Sequence, residues 1–160
     1  NPIGAHYSGR IGEFSIDSPT NIFPKILLVA KGENKELKVY GKDWPTIDGT
    51  GIRDYIHVMD LAEAHLAALL HLSKENHIFK SFNIGTGRGT SVLELVNTFE
   101  EVNNCEIPIS FSERRKGDIA YAVADNKLIG EVLNWYPKRS LKEMCRDGWL
   151  WNKMNPNGFE

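Results

Sequence analysis

The chain predicts an α/β fold, on three observations. Short apolar runs of strand character, "ELKVYG" and "IPISFSE", are interleaved with longer stretches whose apolar residues recur at three- and four-residue spacing. A strand, turn and helix follow one another in "KSFNIGTGRGTSVLELVNTFE". Two Ser-x-x-Glu patterns, Ser91 with Glu94 and Ser140 with Glu143, stand at the head of such stretches, where they open helices.

Taken in order, Asn1-Pro2 forces an extended start, which suits the exit of a strand lying upstream. "TNIFPKILLVAKGE" predicts a helix capped by Thr20 or Asn21, carrying Phe23, Ile26, Leu27 and Ala30 on one face and stopped at Gly32. "ELKVYG" is a strand, "KDWPTIDGTG" a loop and "RDYIHV" a second strand. Asp60 is the expected cap of a helix whose Leu61, Ala64, Ala68 and Leu72 share a face. "KSFNIG" is a third strand, and the helix after Ser91 buries Val92, Leu95, Val96, Phe99 and Val102. "IPISFSE" is a fourth strand, Asp125 caps a short helix over "DNKLIGEVLNW", and Ser140 opens the last helix.

A formal charge of −2 and 41% hydrophobic residues describe one core-forming globular unit, with neither a span-length apolar run nor a basic face for nucleic acid. A cytoplasmic setting is the expectation. Cys105 and Cys145 lie far apart, without Cys-x-x-Cys spacing or clustered histidines, so neither a disulfide framework nor a metal site is expected.

The glycines of "GTGRGTS" sit where a phosphate-binding turn would. A dinucleotide fingerprint would need glycine at 90 or 92, where Thr90 and Val92 stand, so a structural turn is expected. No Tyr-x-x-x-Lys pair occurs, the residues four beyond the five tyrosines being Ile11, Trp44, Met59, Asp125 and Ser140. His57, between apolar neighbours, reads as a packed strand residue. What remains is cationic: Arg53 behind a glycine-bearing loop, and Arg114, Arg115 and Lys116 ahead of Gly117-Asp118. Guanidinium forks suit phosphate oxygens, though a solvated turn and an Arg53–Asp54 ion pair are the plain alternatives.

"NPIGAH", "YGKDWPTIDGTGIRDYIHVMDLAEAH", "FNIGTGRGTSVLE" and "RRKGDIAYAVAD" together resemble the C-terminal half of the UDP-glucose 4-epimerase family, and the resemblance covers the whole chain. It implies the substrate-binding portion of an extended Rossmann-type short-chain dehydrogenase/reductase, with the NAD-binding half absent. Residues 1–160 would then be one partial unit, of which about 55–102 packs on the missing Rossmann domain. The implied reaction interconverts UDP-glucose and UDP-galactose through NAD, in a homodimeric whole enzyme. Catalytic and NAD-binding groups lie outside this chain by the same resemblance. A non-catalytic UDP-sugar-binding module, a split-enzyme half, or a related dehydratase or decarboxylase half are the alternatives.

Residue by residue, the resemblance assigns Asn1 to the nucleotide-sugar, and Asn21 with Ile22 to a helix start beside the diphosphate. Lys38, Val39 and Tyr40 fall along the uracil, Arg53 and Arg115 on the diphosphate, and Asp118 on a ribose hydroxyl. Where the family commonly has tyrosine or cysteine facing the hexose this chain has Ala122, one place after Tyr121. That departure implies room for UDP-N-acetylhexosamines.

Overall fold

The computed structural model describes residues 1–14, 18–74 and 79–159. Its elements are β1 (Pro2–Ile3), α1 (Ile22–Ala30), β2 (Leu37–Tyr40), β3 (Ile52–Arg53), β4 (Ile56–His57), α2 (Val58–Leu72), β5 (Thr90–Ser91), α3 (Val92–Asn103), β6 (Ile109–Ser112), β7 (Tyr121–Ala122), α4 (Lys127–Leu133) and α5 (Leu141–Met154). The strands form three small ladders. β1 runs parallel to β4, β2 parallel to β6, and β3 lies between antiparallel β5 and parallel β7.

Helices α1, α3 and α5 pack with the β2–β6 ladder around the main core. Leu37 and Val39 alternate inward while Lys38 points out. Phe99, fully buried, meets Phe23 and Trp149 edge-on at 6.0 Å between centroids. Gly148 of α5 lies where an added methyl would strike the Phe23 ring, so glycine there permits the close approach of α5 and α1. A second cluster, Ile56, Ala64, Ile129 and Trp135, joins α2 to α4, with Phe82 and Ile84 against it.

Helix starts follow the side-chain chemistry. Ser140 and Glu143 form the expected reciprocal box on α5. On α3 only half of the box exists: Ser91 Oγ accepts from Glu94 N at 3.0 Å, but the Glu94 carboxylate turns to Arg88 at 2.7 Å. Asp60 is not a cap. His57 Nδ1 accepts from Met59 N at 3.0 Å and takes that role, leaving Asp60 fully buried in the first turn of α2. Its carboxylate accepts from Arg139 Nη1 at 2.5 Å and from the backbone N–H groups of Lys138 and Arg139, which tethers α2 to the approach of α5. At α4 the N-cap position is Asn126, and Asp125 still accepts from Lys127 N at 3.1 Å.

Two expected strands change. "RDYIHV" is broken: β3 bonds to β5 and β7, whereas β4 bonds to β1, and Asp54 and Tyr55 make the crossing between ladders. "KSFNIG" is no strand, because residues 80–85 join no ladder among the described residues; Phe82 and Ile84 serve as packing groups instead. Among the described residues no helix is long and apolar enough to cross a membrane.

His57 has 0% exposure and lies 3.3 Å from the Asp147 carboxylate through Nε2. Since Nδ1 accepts from Met59, the neutral ring with its proton on Nε2 satisfies both contacts. Burial pushes its pKa down, against the opposing pull of Asp147. The unfolded chain therefore binds a proton that the folded one refuses. This stability is complete above the ordinary value of 6.5 and is lost as pH falls toward the depressed folded value. Chemical denaturation between pH 7.5 and 5 should show a loss of at most about 1.4 kcal/mol per pH unit from this group, and His57→Gln should flatten it. A wild-type profile flat over that range would contradict the assignment.

Candidate functional site

Sequence-distant segments converge on a cavity of about 150 Å³. Asn1 enters from the chain start, Asn21 and Ile22 from the head of α1, and Lys38, Val39 and Tyr40 from β2. Arg53 comes from β3, while Arg115 and Asp118 come from the loop after β6. Nine of the ten positions named above therefore line one space. Ala122 does not line it. It lies in β7, paired in register with Arg53, and its carbonyl accepts from Asp54 N at 3.1 Å.

The Arg53 guanidinium is aimed by backbone. Its Nη1 donates to Ile52 O at 2.8 Å and Ile119 O at 2.9 Å, so the loop carrying Arg115 and Asp118 is tied to β3 by the same group. The Arg53–Asp54 ion pair left open above is not formed. Asp54 points away and accepts from Thr86 N at 2.8 Å, Thr86 Oγ1 at 2.5 Å, Gly87 N at 2.9 Å and Ala124 N at 3.3 Å. This settles the glycine turn as structural, since its anion-cradling N–H groups are already taken by an internal carboxylate.

Arg115 is oriented twice over. Nε and Nη2 donate to the Asp118 carboxylate at 2.9 and 3.3 Å, and the guanidinium carbon lies 4.7 Å from the centre of the Tyr40 ring. Next to it Arg114 lies 4.1 Å over Trp44 and donates from Nε to Asp43 at 2.9 Å, so the loops after β2 and β6 close on each other. Tyr40 thus presents its ring to a guanidinium.

The glycine-bearing loop before Arg53 is held by Asp48. It accepts from Thr50 N at 2.9 Å, Thr50 Oγ1 at 2.7 Å and the Ser91 hydroxyl. Burial alone would raise its pKa, but the hydrogen bonds from Ser91 and Thr50 hold it below the usual carboxylate value. The loop in turn supplies Gly51 O to Val92 N at 3.2 Å, which meets a free donor at the head of α3. Gly49 takes φ +78°, and a Cβ there would collide with the Lys42 carbonyl.

The arrangement is suited to holding an anion. Tyr55, at the cavity wall, has its pKa pushed up to about 12 by burial, despite the opposing charge of Arg53. Cys145 is pushed up to about 12 by burial and Cys105 is raised too, so both thiols stay protonated. Among the described residues no group of His, Cys, Asp and Glu is placed to hold a metal.

Reading residues singly missed Lys25, Trp44, Tyr55 and Val92, which also line the cavity. Lys25 had a detectable signal, being four residues after Asn21 and three after Ile22 on one helix face. A larger cavity, about 360 Å³, lies between α1 and α5, but its wall is mostly hydrocarbon from Phe14, Phe23, Leu27 and Trp151. Volume alone does not choose, since an open groove of about 860 Å³ beside Arg114 exceeds both; the convergent cations decide for the smallest of the three.

The family model described as GDP-mannose 4,6 dehydratase matches residues 3–148. A UDP-glucose 4-epimerase of Bacillus subtilis is 49% identical over 160 residues, covering 100% of this chain and 47% of that protein. The crystal structure of a UDP-glucose 4-epimerase from Bifidobacterium longum, in complex with NAD+ and UDP, has TM-score 0.94 and 43% identity over 99% of this chain and 47% of that one. The corresponding Stenotrophomonas maltophila structure, with bound NAD and formylated UDP-arabinopyranose, has TM-score 0.94 and 45% identity over 98% of this chain and 46% of that one. The chain thus spans about half the length of the relatives it matches, with the α/β fold of the C-terminal portion of an extended short-chain dehydrogenase/reductase. It belongs to the GDP-mannose 4,6 dehydratase family, and within that family it matches the C-terminal half of UDP-glucose 4-epimerases.

Proposed function

We propose that this chain is the UDP-sugar-holding part of an NAD-dependent UDP-glucose 4-epimerase. The observation that carries the reading is the convergence of Arg53 and Arg115, sixty-two positions apart in sequence, on one cavity beside the head of α1. In the proposed complex Arg53 and Arg115 hold the two phosphates, with the amides at the start of α1 beside them. Asp118 accepts a ribose hydroxyl while keeping Arg115 aligned, and the backbone of Lys38, Val39 and Tyr40 runs along the uracil, with Asn1 at the sugar-proximal end. The glycine turn filled by Asp54 offers no phosphate cradle, so the residues here do not fit a dinucleotide. In the whole protein NAD, held outside this chain, supplies the hydride exchange at C4. The chain's own contribution is to anchor the uridine and the diphosphate, so that the hexose stays in place while it turns about its bonds to the diphosphate and offers C4 first by one face and then by the other.

The exposed side chains Leu66, Leu69, Leu70 and Leu72 on α2 support a further part of the reading, that about 55–102 packs on the Rossmann domain of the whole protein. Residues 75–78 of that span lie outside the described set.

The family resemblance puts Ala122 at the hexose end; it lies in β7 beside Arg53 and outside the cavity described above, so in this reading the hexose extends past that cavity, and the small side chain of Ala122 leaves room at C2. Calorimetric titration of the whole protein should find UDP-N-acetylglucosamine within about threefold of UDP-glucose in affinity, a difference below ~0.7 kcal/mol. Exclusion of the acetylated sugar would overturn that assignment. Failure of the whole protein to convert UDP-glucose into UDP-galactose would overturn the epimerase reading itself.

A further inference from the structure

We infer that Lys25 is a third cationic arm of the diphosphate site, acting with Arg53 and Arg115; the inference rests on the UDP-sugar reading above. Lys25 lines the same cavity as both arginines. It sits on α1 four residues after Asn21 and three after Ile22, so its side chain rises over the face where the helix presents its first amides.

Two features of α1 are unexplained by folding alone. Its first turn carries no acidic residue and its Asn21 side chain makes no capping bond, so the positive end of the helix dipole is left uncompensated. A lysine placed there adds to that charge and disfavours the helix. Pro24, in the same turn, removes one of the amides that would otherwise face an incoming anion. A cation at position 25 supplies in its place a donor with longer reach.

The charge inventory of the cavity agrees. Lys25, Lys38 and Arg53 make no ion pair within 4.0 Å among the described residues, and the acid on the wall, Asp118, is engaged by Arg115. Some exposed cations elsewhere find acids, as Lys138 does Glu63 and Lys142 does Glu101, while others such as Lys42 and Lys127 make no ion pair among the described residues. What sets Lys25, Lys38 and Arg53 apart is that they border one cavity together with Arg115, a gathering of positive charge that points to a ligand with at least two negative charges. Lys25 also borders a neighbouring groove with Lys38 and Glu36, yet it makes no ion pair within 4.0 Å among the described residues.

The test uses the whole protein with UDP, UMP and uridine as probes, titrated by calorimetry at about 50 and 200 mM salt. Lys25→Met should weaken UDP about tenfold at the lower salt, weaken UMP less, leave uridine unchanged and make UDP binding less salt-dependent. Lys25→Arg should keep UDP within about threefold. Thermal melts should show both variants folded, since Lys25 makes no internal ion pair. If Lys25→Met binds UDP like the wild type while Arg53→Met does not, this inference fails and the site reading stands. If the wild-type whole protein binds no UDP, both fail.

Discussion

Arg53→Met is expected to cost about a hundredfold in affinity for UDP, roughly 2.7 kcal/mol, measured by calorimetry at constant ionic strength. The size follows from how the side chain is used. Nη1 is committed to Ile52 O and Ile119 O, so Nη2 and Nε remain as a fork whose direction is fixed before any ligand arrives. A preoriented, charge-assisted contact to phosphate contributes more than a free lysine would, because little side-chain freedom is lost on binding. Removal also loosens the tie between β3 and the loop bearing Arg115 and Asp118, which weakens the second guanidinium indirectly. The two carbonyls can be met by water at a partly open cavity, so the stability cost should stay near 1 kcal/mol. Arg53→Lys should recover only part of the affinity, since an ammonium cannot hold both carbonyls and a phosphate in one plane. An Arg53→Met chain binding UDP within threefold of wild type would remove the basis of the proposed site.

How far these features were legible in the sequence depends on whether their causes are local. Helices α1, α3 and α5 were readable because spacing at Phe23, Ile26 and Leu27, or at Leu95, Val96 and Phe99, states which face is buried, and Ser140 with Glu143 states where α5 begins. Ladder segments of two residues were not readable. β5 and β7 exist because Ile52 and Arg53 meet Ser91, Thr90, Tyr121 and Ala122 in register, and nothing within "TS" or "YA" encodes that meeting. The break in "RDYIHV" has the same origin, as Asp54 must leave the strand direction to reach Thr86 and Gly87. His57 displaced Asp60 from the cap because Arg139, seventy-nine positions later, draws the carboxylate inward. In the site, motif resemblance located nine lining residues, while Trp44 and Lys25 depended on which loops close together. Ala122 shows the opposite limit: its assignment depends on an ungapped alignment past Tyr121, and it lies in β7 against β3 and Asp54, outside the cavity that the other nine residues line.

Asp54→Ala is expected to be the most damaging single change to the fold, lowering unfolding free energy by about 3–5 kcal/mol in urea titration. The carboxylate is 6% exposed and serves three backbone amides and a hydroxyl drawn from two segments, Thr86–Gly87 and Ala124. Alanine would leave those donors buried and unpaired, which costs more than the net value of the bonds themselves. Asparagine would not repair the defect, since its amide would set N–H against N–H. Because total stability of such domains is about 5–15 kcal/mol, the variant should be near its unfolding limit. The neighbouring control is Arg88→Ala: it removes an exposed pair with Glu94 on the outside of the same turn and should cost less than about 0.5 kcal/mol. The converging amides are an anion cradle that the chain fills for itself, so sulfate should raise the melting temperature of Asp54→Ala more than that of the wild type. A loss below 1 kcal/mol, with no selective response to sulfate, would mean that the turn holds its shape without the carboxylate. Arg53, one residue away, would then owe its direction to its two carbonyl contacts alone.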